Sequence, residues 1–413
     1  MNIRSTLQTL NLEVQDVLHN NILSFWLKMQ DKEHGGYYGQ MRGDGTLVKN
    51  ANKGGILNAR ILWSFSSAYR VTKRQEYLDA ATVARDYILN HFVDKVYGGT
   101  YWELDCNGNP LDTKKQFYAL GFMVYGFAEY FRATGDEESL RTALKLYDDI
   151  EAHSFDKAQN GYIEACTREF GVIADMRLSD LDANYPKSQN THLHIMEPYT
   201  NLYRALIERQ MDGYDDYRKR IETSLRNLID IFCNTILNPI THHLDLFFNM
   251  DWTRGVDGAE SYGHDIECSW LLHEAALVIG DKELIAKVEP IVRLVASASE
   301  KGLNADGSMT HEANPVTNYI DADRHWWVQA ETVVGFMNIY QHFNDEKALS
   351  VALRCWEYIK HNLVDRELGE WYWSRDPERN INRTDDHAGF WKCPYHNSRM
   401  CLELIERTSR LLP

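Results

Sequence analysis

The chain has 413 residues, 44% of them hydrophobic, and a formal net charge of −16, which is enough apolar mass for one large core or two ordinary ones. The acidic balance argues against nucleic acid or an anionic membrane as a partner, because both call for a face rich in lysine and arginine. No apolar run reaches the roughly 18 residues of a membrane span, and Met1 to Thr6 lack a charged segment leading into an apolar one, so a cytoplasmic location is expected.

Taken in order, apolar residues recurring at three and four predict a helix from about residue 3. A turn rich in glycine and aromatics follows, Asp31-Lys32-Glu33-His34-Gly35-Gly36-Tyr37-Tyr38, and then a second helix from about residue 52. The pattern repeats. Helices from about 75 and 115 flank Asp94-Lys95-Val96-Tyr97-Gly98-Gly99, and helices from about 137 and 191 flank Asp156-Lys157-Ala158-Gln159-Asn160-Gly161-Tyr162. Weaker echoes at Asn238-Pro239, Asp306-Gly307-Ser308 and Asp365 to Tyr372 lie between helices from 214 and 262, 283 and 325, and 346 and 392. Short breakers such as Gly135-Asp136, Asp212-Gly213, Gly280-Asp281 and Asn344-Asp345 separate the units. Twelve helices in six hairpins predict an all-α fold, an (α/α)6 barrel forming a single domain over 1–413, with an open α-solenoid as the alternative. In a barrel the six second helices are parallel inner staves. Their N-termini, with the long loops and short β-hairpins before them, converge at one end, where a site is expected.

Histidine stands at four of those six helix starts: His192 and His194, His264, His325, and His396. His264 occupies the first turn of its helix, where the partial positive charge of the terminus opposes protonation and keeps an imidazole available as a base. Glu267 follows three residues later on the same face, placed to orient it, to hold a ligand or to raise its pKa. His192 and His194 point in different directions on a helix, and His194, aligned with Glu197, is the better candidate. Arg60 on the first inner helix reads as an ion-pair partner or an oxyanion clamp, and Tyr118 on the second as packing or a ligand contact. Trp326, Trp327 and Trp391 are core aromatics or flat platforms. A metal held by His194, His264 and His396 is set aside because no H-E-x-x-H or H-x-x-E-H spacing accompanies them. The seven cysteines, odd in number and without C-x-x-C spacing, read as reduced, buried side chains.

Asn190-Thr191-His192-Leu193-His194-x-x-Glu197, Gly263-His264-Asp265-x-Glu267, Trp326-Trp327-x-Gln329-Ala330-Glu331 and Trp391-x-x-x-Tyr395-His396 together resemble the N-acylglucosamine 2-epimerase superfamily, and within it the cellobiose 2-epimerases. The similarity runs over essentially the whole chain. Pro198 departs from the expected small helix former.

The resemblance implies a cofactor-independent, metal-free carbohydrate isomerase, monomeric or weakly dimeric, that inverts C2 of the reducing-end sugar of a β-1,4-linked disaccharide through a cis-enediolate. It implies His264 and His396 as the proton-transfer pair, and His194 in ring opening or charge stabilisation. Arg60, Tyr118 and Asn190 would serve the carbonyl oxygen, and Asp182 and Glu267 the hydroxyls. Trp326, Trp327 and Trp391 would stack on the rings. An N-acylglucosamine 2-epimerase or a mannose isomerase of the same superfamily is the nearer alternative. A glycoside hydrolase, which needs two carboxylates across the scissile bond, and a sugar-binding solenoid are the distant ones.

Overall fold

Twelve long helices alternate between two concentric rings in this computed structural model, which describes residues 3–180, 182–255 and 258–412; Met1, Asn2 and Pro413 of the expected 1–413 domain lie outside them. The inner ring is α3 (Gly55–Thr72), α5 (Phe117–Thr134), α7 (Gln189–Glu208), α9 (Tyr262–Ile279), α11 (Trp326–Phe343) and α13 (Tyr395–Leu411). Each packs on the next, and α13 returns to α3, so the ring closes as an (α/α)6 barrel and not as an open solenoid. The outer ring begins with α1 (Ile3–Asp16), which runs through a π-helical turn (Val17–Leu23) into α2 (Ser24–Lys28). It continues with α4 (Gln75–Tyr87), α6 (Glu137–His153), α8 (Asp215–Ile231), α10 (Lys282–Ser299) and α12 (Glu346–Asn362).

Residue pattern explains which helix goes where. Every residue of α5 from Phe117 to Phe131 is buried, as a helix enclosed on all sides requires, whereas α6 buries one stripe that includes Leu140, Leu144 and Tyr147. Three of the four short breakers turn out to be the tight corners, whereas Asp212-Gly213 lies in a longer link between α7 and α8. Gly135, at φ 81°, ends α5 in the left-handed conformation, and Asp136 at once caps α6 by accepting the Ser139 N–H at 2.9 Å. Gly280-Asp281 and Asn344-Asp345 repeat the device. The packed pair is therefore offset from the sequence repeat by one helix: α3 packs on α4, α5 on α6, α7 on α8, and α13 on α1.

At the opposite end each outer helix enters a turn closed by one antiparallel bridge. Five of the six bridges, Gln30–Tyr37, Val93–Thr100, Phe155–Tyr162, Leu237–Leu244 and Val364–Trp371, join residues seven apart in strong and weak sequence echoes alike, and the sixth, Leu303–Met309, closes a turn one residue shorter. Gly36 must be glycine: its φ is +64° and a Cβ there would lie 2.7 Å from the Tyr87 ring. Buried cations anchor these turns, with Lys53 on Asp31 at 2.9 Å, Lys115 on Asp94 at 2.9 Å and Lys187 on Asp156 at 3.0 Å.

The same lysines begin two-residue strands that lead into the inner helices and pair with the following loop. Thus β1 (Lys53–Gly54) joins β2 (Glu103–Leu104), which continues into β3 (Pro110–Asp112), and β4 (Lys115–Gln116) joins β5 (Ala165–Cys166). Next, β6 (Lys187–Ser188) joins β7 (Phe247–Phe248), and β8 (Glu260–Ser261) joins β9 (Glu312–Asn314), which turns back as β10 (Tyr319–Asp321). Last, β11 (Arg324–His325) joins β12 (Ser374–Arg375), and a Met41–Ala388 bridge links the remaining loops. The first backbone N–H of α3, α5, α7 and α11, an orphan donor in an isolated helix, donates to the carbonyl of Trp102, Glu164, Leu246 and Trp373 respectively, at 2.8–3.0 Å. Among the described residues no helix is long and apolar enough to cross a membrane, and the seven cysteines are free.

Candidate active site

A cavity of about 520 Å³ opens where the inner helices begin. All eleven side chains singled out from the sequence line it: Arg60, Tyr118, Asp182, Asn190, His194, His264, Glu267, Trp326, Trp327, Trp391 and His396. Glycine brings two of them together, because a Cβ on Gly263 would lie 2.6 Å from the Trp327 ring, and that close approach sets the indole 4.8 Å from the His264 imidazole.

Each of the three lining histidines expected to act has its Nδ1 engaged, which leaves Nε2 as the nitrogen for a ligand. His264 Nδ1 meets Ser261 Oγ at 2.8 Å, His396 Nδ1 meets Glu331 Oε1 at 2.7 Å, and His194 Nδ1 meets Glu197 Oε2 at 3.1 Å. Burial is the largest cause of the depressed pKa at all three. It brings His264 down to about 3 with help from His194 and His311, and it sends His396 well below the ordinary imidazole range with Arg60 and Arg399 adding to the effect. His192 is excluded from the cavity: its Nε2 accepts the Tyr162 N–H at 2.9 Å while Nδ1 donates to the Ser188 carbonyl at 2.6 Å, so it holds the third turn in place.

Glu267 does not orient His264, as the i,i+3 spacing suggested. Its Oε1 instead accepts from Arg399 Nη2 at 2.6 Å, and so does Glu331 Oε1 at 2.6 Å. Arg399 Nη1 serves Glu197 and the Tyr395 hydroxyl, so one buried guanidinium holds three carboxyls. Burial opposes the charge on Glu197, but Arg399, His194 and Tyr395 overcome it and bring this carboxyl down to about 2. Burial, with Glu331 and Glu197 close by, pushes Glu267 well above the carboxylate range despite Arg399.

Arg60 is placed differently. Its Nη2 donates to the Tyr118 hydroxyl at 2.8 Å, Nη1 to Cys393 Sγ at 3.7 Å, and the guanidinium lies over the Phe122 and Tyr395 rings at 4.2 and 4.6 Å. Among the described residues no carboxylate is paired with it. Asn190 Oδ1 and Arg60 Nε, both buried, have no hydrogen-bond partner among the described residues, which marks the cavity as built for a polar ligand. Asp182 accepts from the backbone N–H and hydroxyl of Ser179, both at 2.8 Å, and burial raises its pKa. Trp326 is almost wholly buried against Trp373, while Trp327 and Trp391 are half-buried.

Sequence reasoning missed Arg399, the partner roles of Glu331 and Tyr395, and the lining residues His311 and Trp373, and it gave His325 a place at a helix start without a role. Arg399 had a signal: it sits four residues after Tyr395 and three after His396, hence on their face of an inner helix. Two groups of donors lie close enough to share a cation, Glu267–Glu331–His396 and His311–Asp321–His325, and the first already encloses Arg399.

The family model for N-acylglucosamine 2-epimerase matches residues 15–398. A cellobiose 2-epimerase from Bacteroides fragilis is 53% identical over 399 residues, covering 96% of this chain and 99% of the relative. One from Ruminococcus albus is 39% identical over 396 residues, covering 96% and 98%. The solved cellobiose 2-epimerase of Bacillus thermoamylovorans B4167 superposes with a TM-score of 0.89 at 40% identity, covering 97% of this chain and all of that one. Sequence, ring closure and cavity agree, and the chain belongs to the N-acylglucosamine 2-epimerase family.

Proposed function

We propose that this protein is a cellobiose 2-epimerase, an isomerase that interconverts glucose and mannose at the reducing end of β-1,4-linked disaccharides such as cellobiose, lactose and mannobiose. The observation that carries the reading is the pairing, in one cavity, of two imidazoles whose Nδ1 atoms are engaged and whose Nε2 atoms are left for a ligand, with an arginine that has no carboxylate partner among the described residues. That set suits a reaction that takes a proton from carbon, collects charge on oxygen, and returns a proton to carbon.

The route starts with ring opening, assisted by His194, which frees the C1 aldehyde. The aldehyde itself acidifies the C2 proton, so no cofactor is called for. One of His264 and His396 takes that proton through its free Nε2, the electron pair moves into a C1–C2 double bond, and O1 gains the charge. Arg60, with Tyr118 and Asn190, stabilises that oxyanion, where a fixed charge in a dry cavity counts most. The other imidazole, entering protonated, gives its proton to the opposite face of C2. Each turnover thus moves one proton between the two groups, and the reverse reaction or exchange with water restores them. Asp182 and Glu267 hold hydroxyls, Trp391 and Trp327 stack on the sugar rings, and Trp326 backs them.

A hydrolase reading fits less well, because Glu197, Glu267 and Glu331 all converge on Arg399 and are not free to flank a glycosidic bond. The chain acts as one catalytic domain over 1–413, as a monomer or weak homodimer in the cytoplasm, and its acidity supports the absence of a nucleic-acid partner.

The test is incubation with cellobiose in heavy water. The expected product is glucosyl-mannose with deuterium at C2. Free glucose would point to hydrolysis, a ketose alone to an aldose–ketose isomerase, and turnover confined to N-acetylmannosamine to the amino-sugar enzyme; each would overturn the assignment.

A further inference from the structure

Outside the proposed proton-transfer centre, at the rim where the main cavity meets a second hollow of about 460 Å³, three donors converge that the reaction does not use. His311 lies just ahead of β9, Asp321 ends β10, and His325 ends β11; the β9–β10 register sets Asp321 opposite Glu312 and so beside His311. His311 Nδ1 is 2.8 Å and His325 Nε2 3.7 Å from the same oxygen, Asp321 Oδ2, while Oδ1 is occupied by the Asp323 N–H at 3.1 Å. The two imidazoles stack with centroids 4.2 Å apart. All the donor atoms lie within 4.8 Å of one another.

We propose that His311, Asp321 and His325 form a binding site for a divalent transition-metal ion, and that an ion held there obstructs the cavity. Two imidazoles and a carboxylate are the donor types that zinc takes, at about 2.0–2.2 Å, which places tetrahedral ligands about 3.3 Å from one another. The observed 2.8 and 3.7 Å separations straddle that spacing, so small side-chain rotations complete the site. Among the described residues no lysine or arginine is paired with Asp321, in contrast to Glu267–Glu331–His396, where Arg399 already supplies the positive charge. The side chains are 19%, 27% and 16% exposed, enough for an ion to enter from solvent. Three protein ligands leave a fourth position open, and because His311 and His325 both line the main cavity, an ion and its water take up room that a sugar would use. The ion is thus an inhibitor and has no part in the chemistry.

The experiment titrates the metal-free protein with Zn²⁺ calorimetrically and with Co²⁺ in visible absorption, in the absence of sugar. One equivalent is expected to bind, and His311→Gln, Asp321→Asn and His325→Gln should each weaken it at least about tenfold while keeping the melting temperature. Glu331→Gln, which alters the other donor group, should leave Zn²⁺ affinity unchanged. Failure to bind one equivalent, or undiminished affinity in His311→Gln and Asp321→Asn, overturns the site. The obstruction rests on the epimerase reading and is measured separately: Zn²⁺ should raise KM for cellobiose in the parent protein, reversibly with chelator, and not in His311→Gln. Equal inhibition of both proteins overturns the obstruction, while the sugar-free titration stands or falls independently of the activity.

Discussion

Replacing Arg399 by methionine removes the one cation shared by Glu197, Glu267 and Glu331 and keeps most of the side-chain volume. Glu197 alone gives the scale. Its carboxyl sits at about 2 in the fold against an ordinary value of 4.5. Once Arg399 is gone it must be buried protonated, and the stabilisation lost across that difference is on the order of 3 kcal/mol. Direct measurements on broken buried ion pairs, about 3–5 kcal/mol, agree. For 413 residues an unfolding entropy of about 2.1 cal/mol/K per residue turns a loss of that size into a fall in melting temperature of about 4–5 °C.

The pH dependence gives the sharper test. Without Arg399 the buried carboxyls have folded pKa values above their unfolded ones, so their contribution to stability is complete below the unfolded value and is lost as pH rises through the folded one. The deficit of Arg399→Met against the parent should therefore be smaller near about pH 5 and grow toward about pH 8, by as much as about 1.4 kcal/mol per pH unit for Glu197, the carboxyl that Arg399 holds low in the parent, whereas Glu267 and Glu331 are already raised there. Thermal or urea melts of both proteins across that range read it directly. A deficit that is the same at both ends, or a fall below about 1 °C near pH 8, would refute the view that one guanidinium holds three carboxyls.

His264→Ala and His396→Ala should each lower turnover on cellobiose by about 10³- to 10⁴-fold with melting temperatures close to the parent's, and near-normal epimerisation by either would remove that residue from the proton-transfer pair. Arg60→Met should lower kcat by about 10²- to 10³-fold, with Arg60→Lys recovering only part because an ammonium lacks the planar fork; a rise in KM at unchanged kcat would instead make Arg60 a simple binding group. His192, held neutral by its two hydrogen bonds and brought down to about 4 by burial, stabilises the fold above its unfolded pKa of 6.5 and loses that contribution as pH falls toward 4. His192→Gln should flatten the stability curve by about 1.4 kcal/mol per pH unit in that window, and an unchanged slope in urea midpoints would contradict it.

The helical frame is legible because it rests on local signals. The starts of all twelve long helices lie within three residues of where the apolar period and the breakers put them, and left-handed Gly135 followed by Asp136 is a corner that any chain would have to make. The faint echoes at Asn238 and Asp306 are harder, since bridged turns are built there from different residues, the second one residue shorter. Candidate site residues were legible for a related reason: a barrel gathers its inner helix starts, so proximity in space follows from position in the repeat. Arg399 was not, because its partners Glu197, Glu267 and Glu331 stand on three other helices and no spacing along the chain links them. The same gap hid the partner of Glu267, whose neighbour at i−3 was visible and whose guanidinium 132 residues away was not. His311 and Trp373 come from loops that carry no period at all.

Helix starts ordinarily fray, and their amides exchange with solvent within moments. Here the leading N–H groups of α3, α5, α7 and α11 are held by carbonyls of the neighbouring loop, so none can be released without parting two repeats. Their hydrogen exchange should run at the rate of whole-barrel opening, and loss of activity on heating should coincide with loss of helix, with no window in which a folded barrel carries a disordered rim.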